Sequence, residues 1–438
     1  MNTSSNALAF ALLTAAVAAP AAAQYVPQQE QTTIRAQSGS ASKQKEEEAL
    51  PQAIPGSGPV STTGRKLDIS KGAQKAIIEL QNAVNANDTA SIPAKLAAAQ
   101  AVAKTNDDKF VIASNQTKAA LAAGDLAAIR VGIEAMQASG SADPSDIAAR
   151  FTDLGQRHLK AGQQDQAASA LDRALSIDPA YGNALLLLAD VRAKQNRKAE
   201  AIALMQKAIA AARAAGRKPK EGDYKFAARL AYDSRSPAVA EITRAWVTDY
   251  PTADSVRDAL RIYRDLNRPE GDLRIDTMRL ARAAGALKGE ADYHGFATAL
   301  VAKGHLAEAK ALLDEGAAAK AIDVKKQAFK DVAAKLTKVP TRAAADAAAK
   351  AALAGGSAQA ALAAGDALYG HGAFAEAANL YRAAAERPGA DKNLANLRLG
   401  IALARAGDKA GATAAFSAVG GAQAEVAKYW LAWLSSRA

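Results

Sequence analysis

The chain has 438 residues, half of them hydrophobic but only 5% aromatic, with no Cys and a formal net charge of +11. The lack of Cys excludes disulfides and thiol chemistry. So few large rings argue against one thick aromatic core and for a thin, continuous one, and the positive balance favours anionic partners.

Residues 6–23 read NALAFALLTAAVAAPAAA, followed by Gln24. An apolar run, then Pro20, then Ala21-Ala22-Ala23, has the form of a secretory leader with a small-residue cleavage site. The run is short for a bilayer span. A leader over 1–23, cleaved after Ala23, is therefore expected, with a periplasmic or secreted mature chain. No Lys or Arg precedes the run, so only the terminal amine supplies its positive end. Residues 24–69 are rich in Gln, Ser, Pro and Gly, and their charges cancel. Few large apolar side chains are present to offset the entropy of ordering them, so the stretch reads as a disordered tether.

From residue 70 the pattern is helical, and Ala, the best helix former, is abundant. The stretch 70–145 reads as degenerate helical repeats. One pair is expected over 73–86 and 92–104, a second over 109–122 and 126–138 with a break at Gly124-Asp125.

The clear repeats occupy 146–215. Ala167 recurs as Ala201 and Ala174 as Ala208, each 34 residues on. Phe151, Leu154 and Gly155 recur as Leu185, Leu188 and Ala189. A fixed period of this length marks stacked two-helix units that cannot bury their apolar faces alone. Within one unit, Phe151, Leu154, Gly155 and His158 lie on one face of a helix. Gly162 supplies the left-handed residue that ends it. Ala167, Leu171 and Ala174 form the facing stripe, and Asp178-Pro179 stops the second helix.

This set resembles the tetratricopeptide repeat family. The family's order of bulky, Leu, small, aromatic, Gly, Ala, aromatic, Ala, Pro is met by Phe151, Leu154, Gly155, His158, Gly162, Ala167, Leu171, Ala174 and Pro179. His158 and Leu171 stand where aromatics are usual. The next unit, Leu185 to Ala208, lacks the closing Pro. The resemblance implies an all-α, right-handed α-solenoid of stacked helix-turn-helix units, roughly ten or eleven of them beyond residue 69.

The stretch 216–289 is divergent and basic. Helices are expected over 224–233, 238–249, 252–266 and 270–284, broken at Ser236-Pro237 and Arg268-Pro269. Between Asp190 and Arg282, 20 Lys plus Arg face 13 Asp plus Glu, a surplus of seven. Over 290–426 the family pattern returns at Tyr293, Phe296, Ala297 and Gly304, at Gly365, Gly372, Ala377 and Tyr381, and at Gly400, Gly407, Ala412 and Phe416. The final helix, 427–438, is apolar nearly all round. It reads as a cap on the array, or as a docking helix anchored by Trp430 and Trp433.

Arg257, Arg261 and Arg264 lie about 100° round a helix from Val256, Leu260 and Tyr263. The resemblance places these arginines, and Gln156, Asn183 and Asp190 of the clear units, towards a groove that binds a protein or peptide, with an acidic partner suited to the arginines. A solvated face laced by Asp258 and Asp265 is the alternative. The basic middle could also contact an anionic envelope polymer or a membrane surface. Nucleic acid is not expected, since no aromatics interleave the basic clusters. No phosphate loop, nucleophile elbow or zinc motif occurs, so neither catalytic residues nor metal nor cofactor is expected. His305 and His371 fall between paired helices and read as surface turn residues. The whole reads as a non-enzymatic scaffold for protein–protein interaction in the bacterial cell envelope.

Overall fold

The computed structural model describes residues 67–435. The leader at 1–23, its cleavage after Ala23, and the tether up to residue 66 lie outside the described residues. Within them there are 21 α-helices and no strand. In chain order they are α1 (Lys71–Asn85), α2 (Ile92–Val102), α3 (Asn106–Ala123), α4 (Leu126–Ala138), α5 (Pro144–Lys160), α6 (Gln164–Ile177) and α7 (Gly182–Lys194). Next come α8 (Lys198–Ala214), α9 (Glu221–Asp233), α10 (Ala238–Asp249), α11 (Ala253–Asn267), α12 (Gly271–Ala283), α13 (Gly289–Ala302) and α14 (Leu306–Ala318). The last are α15 (Gln327–Ala333), α16 (Arg342–Gly355), α17 (Ala358–Gly370), α18 (Phe374–Glu386), α19 (Lys392–Ala406), α20 (Lys409–Ser417) and α21 (Ala424–Ser435). The architecture is an all-α repeat solenoid.

One packing rule recurs at a spacing of 16 residues. A Cβ on Gly155 would lie 2.8 Å from Leu171, one on Gly365 2.7 Å from Tyr381, and one on Gly400 2.6 Å from Phe416. In each pair a large side chain of the second helix rests on the bare backbone of the first. Leu171, on the facing stripe, does this in the clear unit. The two helices can then approach at interior packing density.

Local signals set the helix ends. Thr105 accepts from the Asp108 amide at 3.0 Å while Asp108 Oδ2 accepts from the Thr105 amide at 3.0 Å, a reciprocal cap that opens α3. Gly124 closes that helix at φ +68°, a region that favours Gly.

In an open solenoid each unit touches only its neighbours. Helices α1 to α9 follow that rule in their main contacts, but the later ones do not. Helix α21 packs on α10 and α12, α19 packs on α12, and α17 packs on α14. One apolar core joins Val247, Leu260, Tyr263 and Leu280 to Leu368, Phe416 and Trp430. The C-terminal repeats thus fold back on the middle of the chain.

Candidate functional site

The fold-back surface is closed by α21. Trp430 is 0% exposed and Trp433 5%. Trp430 stacks on Phe416 at 5.6 Å and meets Trp433 edge-on at 5.5 Å. Tyr429 Oη and Thr243 Oγ1 hydrogen-bond at 2.7 Å, 186 residues apart, and Arg244 pairs with Glu425. The two tryptophans are therefore not exposed docking anchors for another molecule. Their indoles are spent inside the chain, because α21 lies between the last repeat and α10.

Deeper in the same closure lies a buried charge network. Arg279 is 1% exposed; its Nη2 donates to Glu308 at 2.6 Å and its Nη1 to Asp276 at 2.8 Å. Its guanidinium also lies 4.5 Å from the Tyr369 ring centre. Arg398 donates to Asp366 at 2.6 Å and to Asp272 at 2.7 Å. Tyr381 Oη donates to the other Asp366 oxygen at 2.7 Å. These residues come from α12, α14, α17, α18 and α19, so the network ties five helices together.

The carboxyls respond differently to one environment. Burial pushes Asp366 up, but the charges of Arg398 and Arg279 and the hydrogen bond from Tyr381 outweigh it and hold the carboxyl below its ordinary value. At Asp276 burial wins over the same arginines, and the carboxyl is raised. Its Oδ2 is buried without a hydrogen-bond partner. His305 is not a surface turn residue. Its side chain is 10% exposed, with Nδ1 3.8 Å from Asp366. Burial lowers its pKa, which favours the neutral ring. A cleft of about 280 Å³ opens over the network, lined by Asp272, Lys303, His305, Asp366 and Arg398. Its cations are already matched by its own carboxylates, so the network serves first to hold the closure. The sequence signal was faint: Asp276, Arg279, Asp366 and Arg398 stand at registers where their neighbours are buried and apolar.

A larger groove, about 760 Å³, lies over α4, α5 and α6. Leu126 and Ala127 of α4 supply its accessible apolar surface, and Arg130, Glu134, Gln166, Ser169 and Arg173 its rim. Phe151 and Leu154 of α5 lie buried beneath it, with the Arg173 guanidinium 6.0 Å from the Phe151 ring. Arg130 pairs with Glu134 at 2.8 Å, and Arg173 donates to Gln137 at 2.7 Å. A concave surface that mixes accessible apolar side chains with a few placed polar groups is the ordinary make-up of a binding groove.

The sequence-selected residues lie elsewhere. Gln156 is exposed on α5, about 200° round the helix from Leu154, so it faces away from that groove. Asn183 is exposed on the adjacent α7, where Asp190 pairs with Lys194 at 2.7 Å. Arg257, Arg261 and Arg264 are on α11 and do not join them. Arg257 is 2.7 Å from Asp254, Arg261 3.5 Å from Asp265, and Arg264 4.0 Å from Asp292. Arg264 also points at the Met278 sulfur, 2.7 Å away. The stripe is balanced by acidic neighbours, mostly from its own helix, and Arg264 lines, with Arg235, Arg268, Asp233 and Asp265, a further groove of about 760 Å³ between α9 and α11. Among the described residues no group of His, Asp and Glu could hold a metal ion.

The segments 152–216 and 362–425 match the family model described as tetratricopeptide repeat. No curated protein matches the chain. Among solved structures, a tetratricopeptide repeat protein from Parabacteroides merdae is similar, at 13% identity and a TM-score of 0.25, covering 67% of this chain and 99% of that one. PilF of Pseudomonas aeruginosa is 12% identical with a TM-score of 0.24, over 60% of this chain and 98% of that one. The C-terminal part of a repeat protein from Cytophaga hutchinsonii is 12% identical with a TM-score of 0.26, over 73% and 98%.

Proposed function

We propose that this tetratricopeptide-repeat protein is a non-catalytic scaffold of the bacterial cell envelope, which holds a protein or peptide partner in the groove over α4–α6. The observation that carries the reading is the contrast between the two halves. The C-terminal repeats have their aromatic and charged groups engaged with the middle of the chain, whereas the groove over α4–α6 stays open, with Leu126, Ala127, Arg130, Gln166 and Ser169 accessible along it. Export is supported by the leader-like run at 6–23. The arginine stripe on α11 supports an acidic partner poorly, because its charges are already matched by Asp254, Asp265 and Asp292.

A photoreactive side chain at Ser169, exposed on the groove rim, tests this in intact cells. The same probe at Lys350, exposed on α16, is the control. A discrete adduct at Ser169, absent at Lys350 and lost when Gln166→Arg and Ser176→Arg, both at exposed lining positions, fill the groove, is expected. The same adducts at both positions would remove the groove from consideration.

A further inference from the structure

The repeat register breaks between α14 and α16. Residues 319–341 hold only the seven-residue α15, and Lys320 sits at φ +55°. The connection is nonetheless well anchored. Ile322, Phe329 and Val332 turn inward and join Tyr293 and Phe296 in one core. Phe329 meets His294 edge-on at 5.8 Å, and the Asp323 amide donates to Glu290 at 3.2 Å.

Its outer surface is unusually basic. From Lys320 to Lys338 there are six Lys, no Arg, and two acidic residues, a surplus of four in 19 residues. The surplus of seven in the middle of the chain is spread over 93 residues. All six lysines are exposed. Lys326 pairs with Glu290 at 2.7 Å, while Lys320, Lys325, Lys330, Lys335 and Lys338 have no ion-pair or side-chain hydrogen-bond partner among the described residues. The two acidic residues are used locally: Asp323 accepts from the Lys325 amide at 2.9 Å and Asp331 from Gln327 at 2.7 Å. Val324, 48% exposed, stands between them.

We propose that this lysine-rich connection is a peripheral membrane contact, with its lysines on the phosphates of an anionic phospholipid surface and Val324 in the headgroup layer. The chemistry favours lipid over an acidic protein. Arg forks recognise fixed carboxylates in pairs, and none is present here; Lys is a compact point charge suited to mobile phosphates. Helix α15 carries Lys330 and is only about 10 Å long, so Lys330 lies within roughly one Debye length of the lysines that flank the helix, Lys325 and Lys335, and the three act together. The exposed Val adds the apolar contact that interfacial elements use. No helix among the described residues is long and apolar enough to cross a membrane, so the contact lies on the surface. It is separate from the groove over α4–α6.

Each lysine near an anionic leaflet strengthens binding about fivefold. The test is sedimentation of the full chain with vesicles of equal parts phosphatidylglycerol and phosphatidylcholine, against phosphatidylcholine alone, at low and high salt. Wild type is expected to bind only the anionic vesicles, and less at high salt. The triple variant Lys325→Glu, Lys330→Glu, Lys335→Glu is expected to lose at least about a hundredfold in affinity. A charge-matched control, Lys71→Glu, Lys75→Glu, Lys109→Glu, changes exposed lysines of α1 and α3 and is expected to bind like wild type. Circular dichroism checks that each variant folds. No binding by wild type, or equal losses in both triple variants, would overturn the proposal. So would tighter binding to polyglutamate than to the vesicles, which would assign the patch to an acidic protein.

Discussion

Asp108 shows how one carboxylate can organise the start of the array. It accepts from the Ser70 amide at 2.9 Å, the Ser70 hydroxyl at 2.7 Å, and the Lys104 and Thr105 amides at 2.9 and 3.0 Å. Burial pushes its pKa up, but these bonds outweigh it and hold the carboxyl at about 2. A depressed carboxyl stabilises the fold above its unfolded pKa, and that gain is lost as pH falls through the folded one. For Asp108 it should disappear between about pH 4 and about pH 2, and it is worth about 2 kcal/mol. Denaturant titrations of wild type and Asp108→Asn should therefore differ by about that amount at neutral pH and converge below about pH 2. Parallel curves down to the lowest pH would contradict this. The closure network makes a second prediction at this scale. Asp366→Ala removes one of the two carboxylates that pair with Arg398 and leaves the buried Tyr381 hydroxyl without its acceptor, and should cost about 3 kcal/mol, while Arg261→Ala, on the exposed stripe, should cost less than about 1 kcal/mol. Asp276→Asn should cost less than Asp366→Asn at neutral pH, since burial already disfavours the Asp276 charge. Equal midpoints for all four variants would refute the network's role.

At the scale of the element, the sequence was informative where the signal was local. The 34-residue recurrence of Ala167 and Ala174 gave the repeat, and Gly124, Gly162 and Pro179 lie at helix ends in the structure. The partners of α21 were not legible, because Thr243 and Tyr429 are 186 residues apart and no local pattern encodes such a contact. For the same reason the buried charges of α12 and α17 gave only a register anomaly, and the lysines around α15 were hidden by summing charge over longer stretches. Gly370 marks the close approach that the closure requires. A Cβ there would lie 2.6 Å from the Glu308 backbone nitrogen. Gly370→Ala should therefore destabilise by about 1–3 kcal/mol through overpacking, and Trp430→Ala by about 3–5 kcal/mol through the cavity it leaves. Thermal unfolding monitored by tryptophan fluorescence in Gly370→Ala, and by circular dichroism in Trp430→Ala, should report both losses. Unchanged midpoints would mean that α17 and α21 are not held against the middle of the chain.

At the scale of the whole molecule, the described chain packs neighbour on neighbour along α1–α9 and closes on itself from α10 onward. Neighbour-only packing would leave every groove equally available, whereas the fold-back engages the aromatic helix α21 and leaves the groove over α4–α6 open. The lack of Cys allows a direct test. Spin labels at Glu241→Cys on α10 and Lys428→Cys on α21 would sit on exposed positions next to the Arg244–Glu425 and Thr243–Tyr429 contacts. Pulsed electron–electron resonance should give one short, narrow distance distribution, broadened and lengthened by Gly370→Ala. A long or broad distribution in the unaltered background would show an open solenoid, and would contradict the closure on which the account depends.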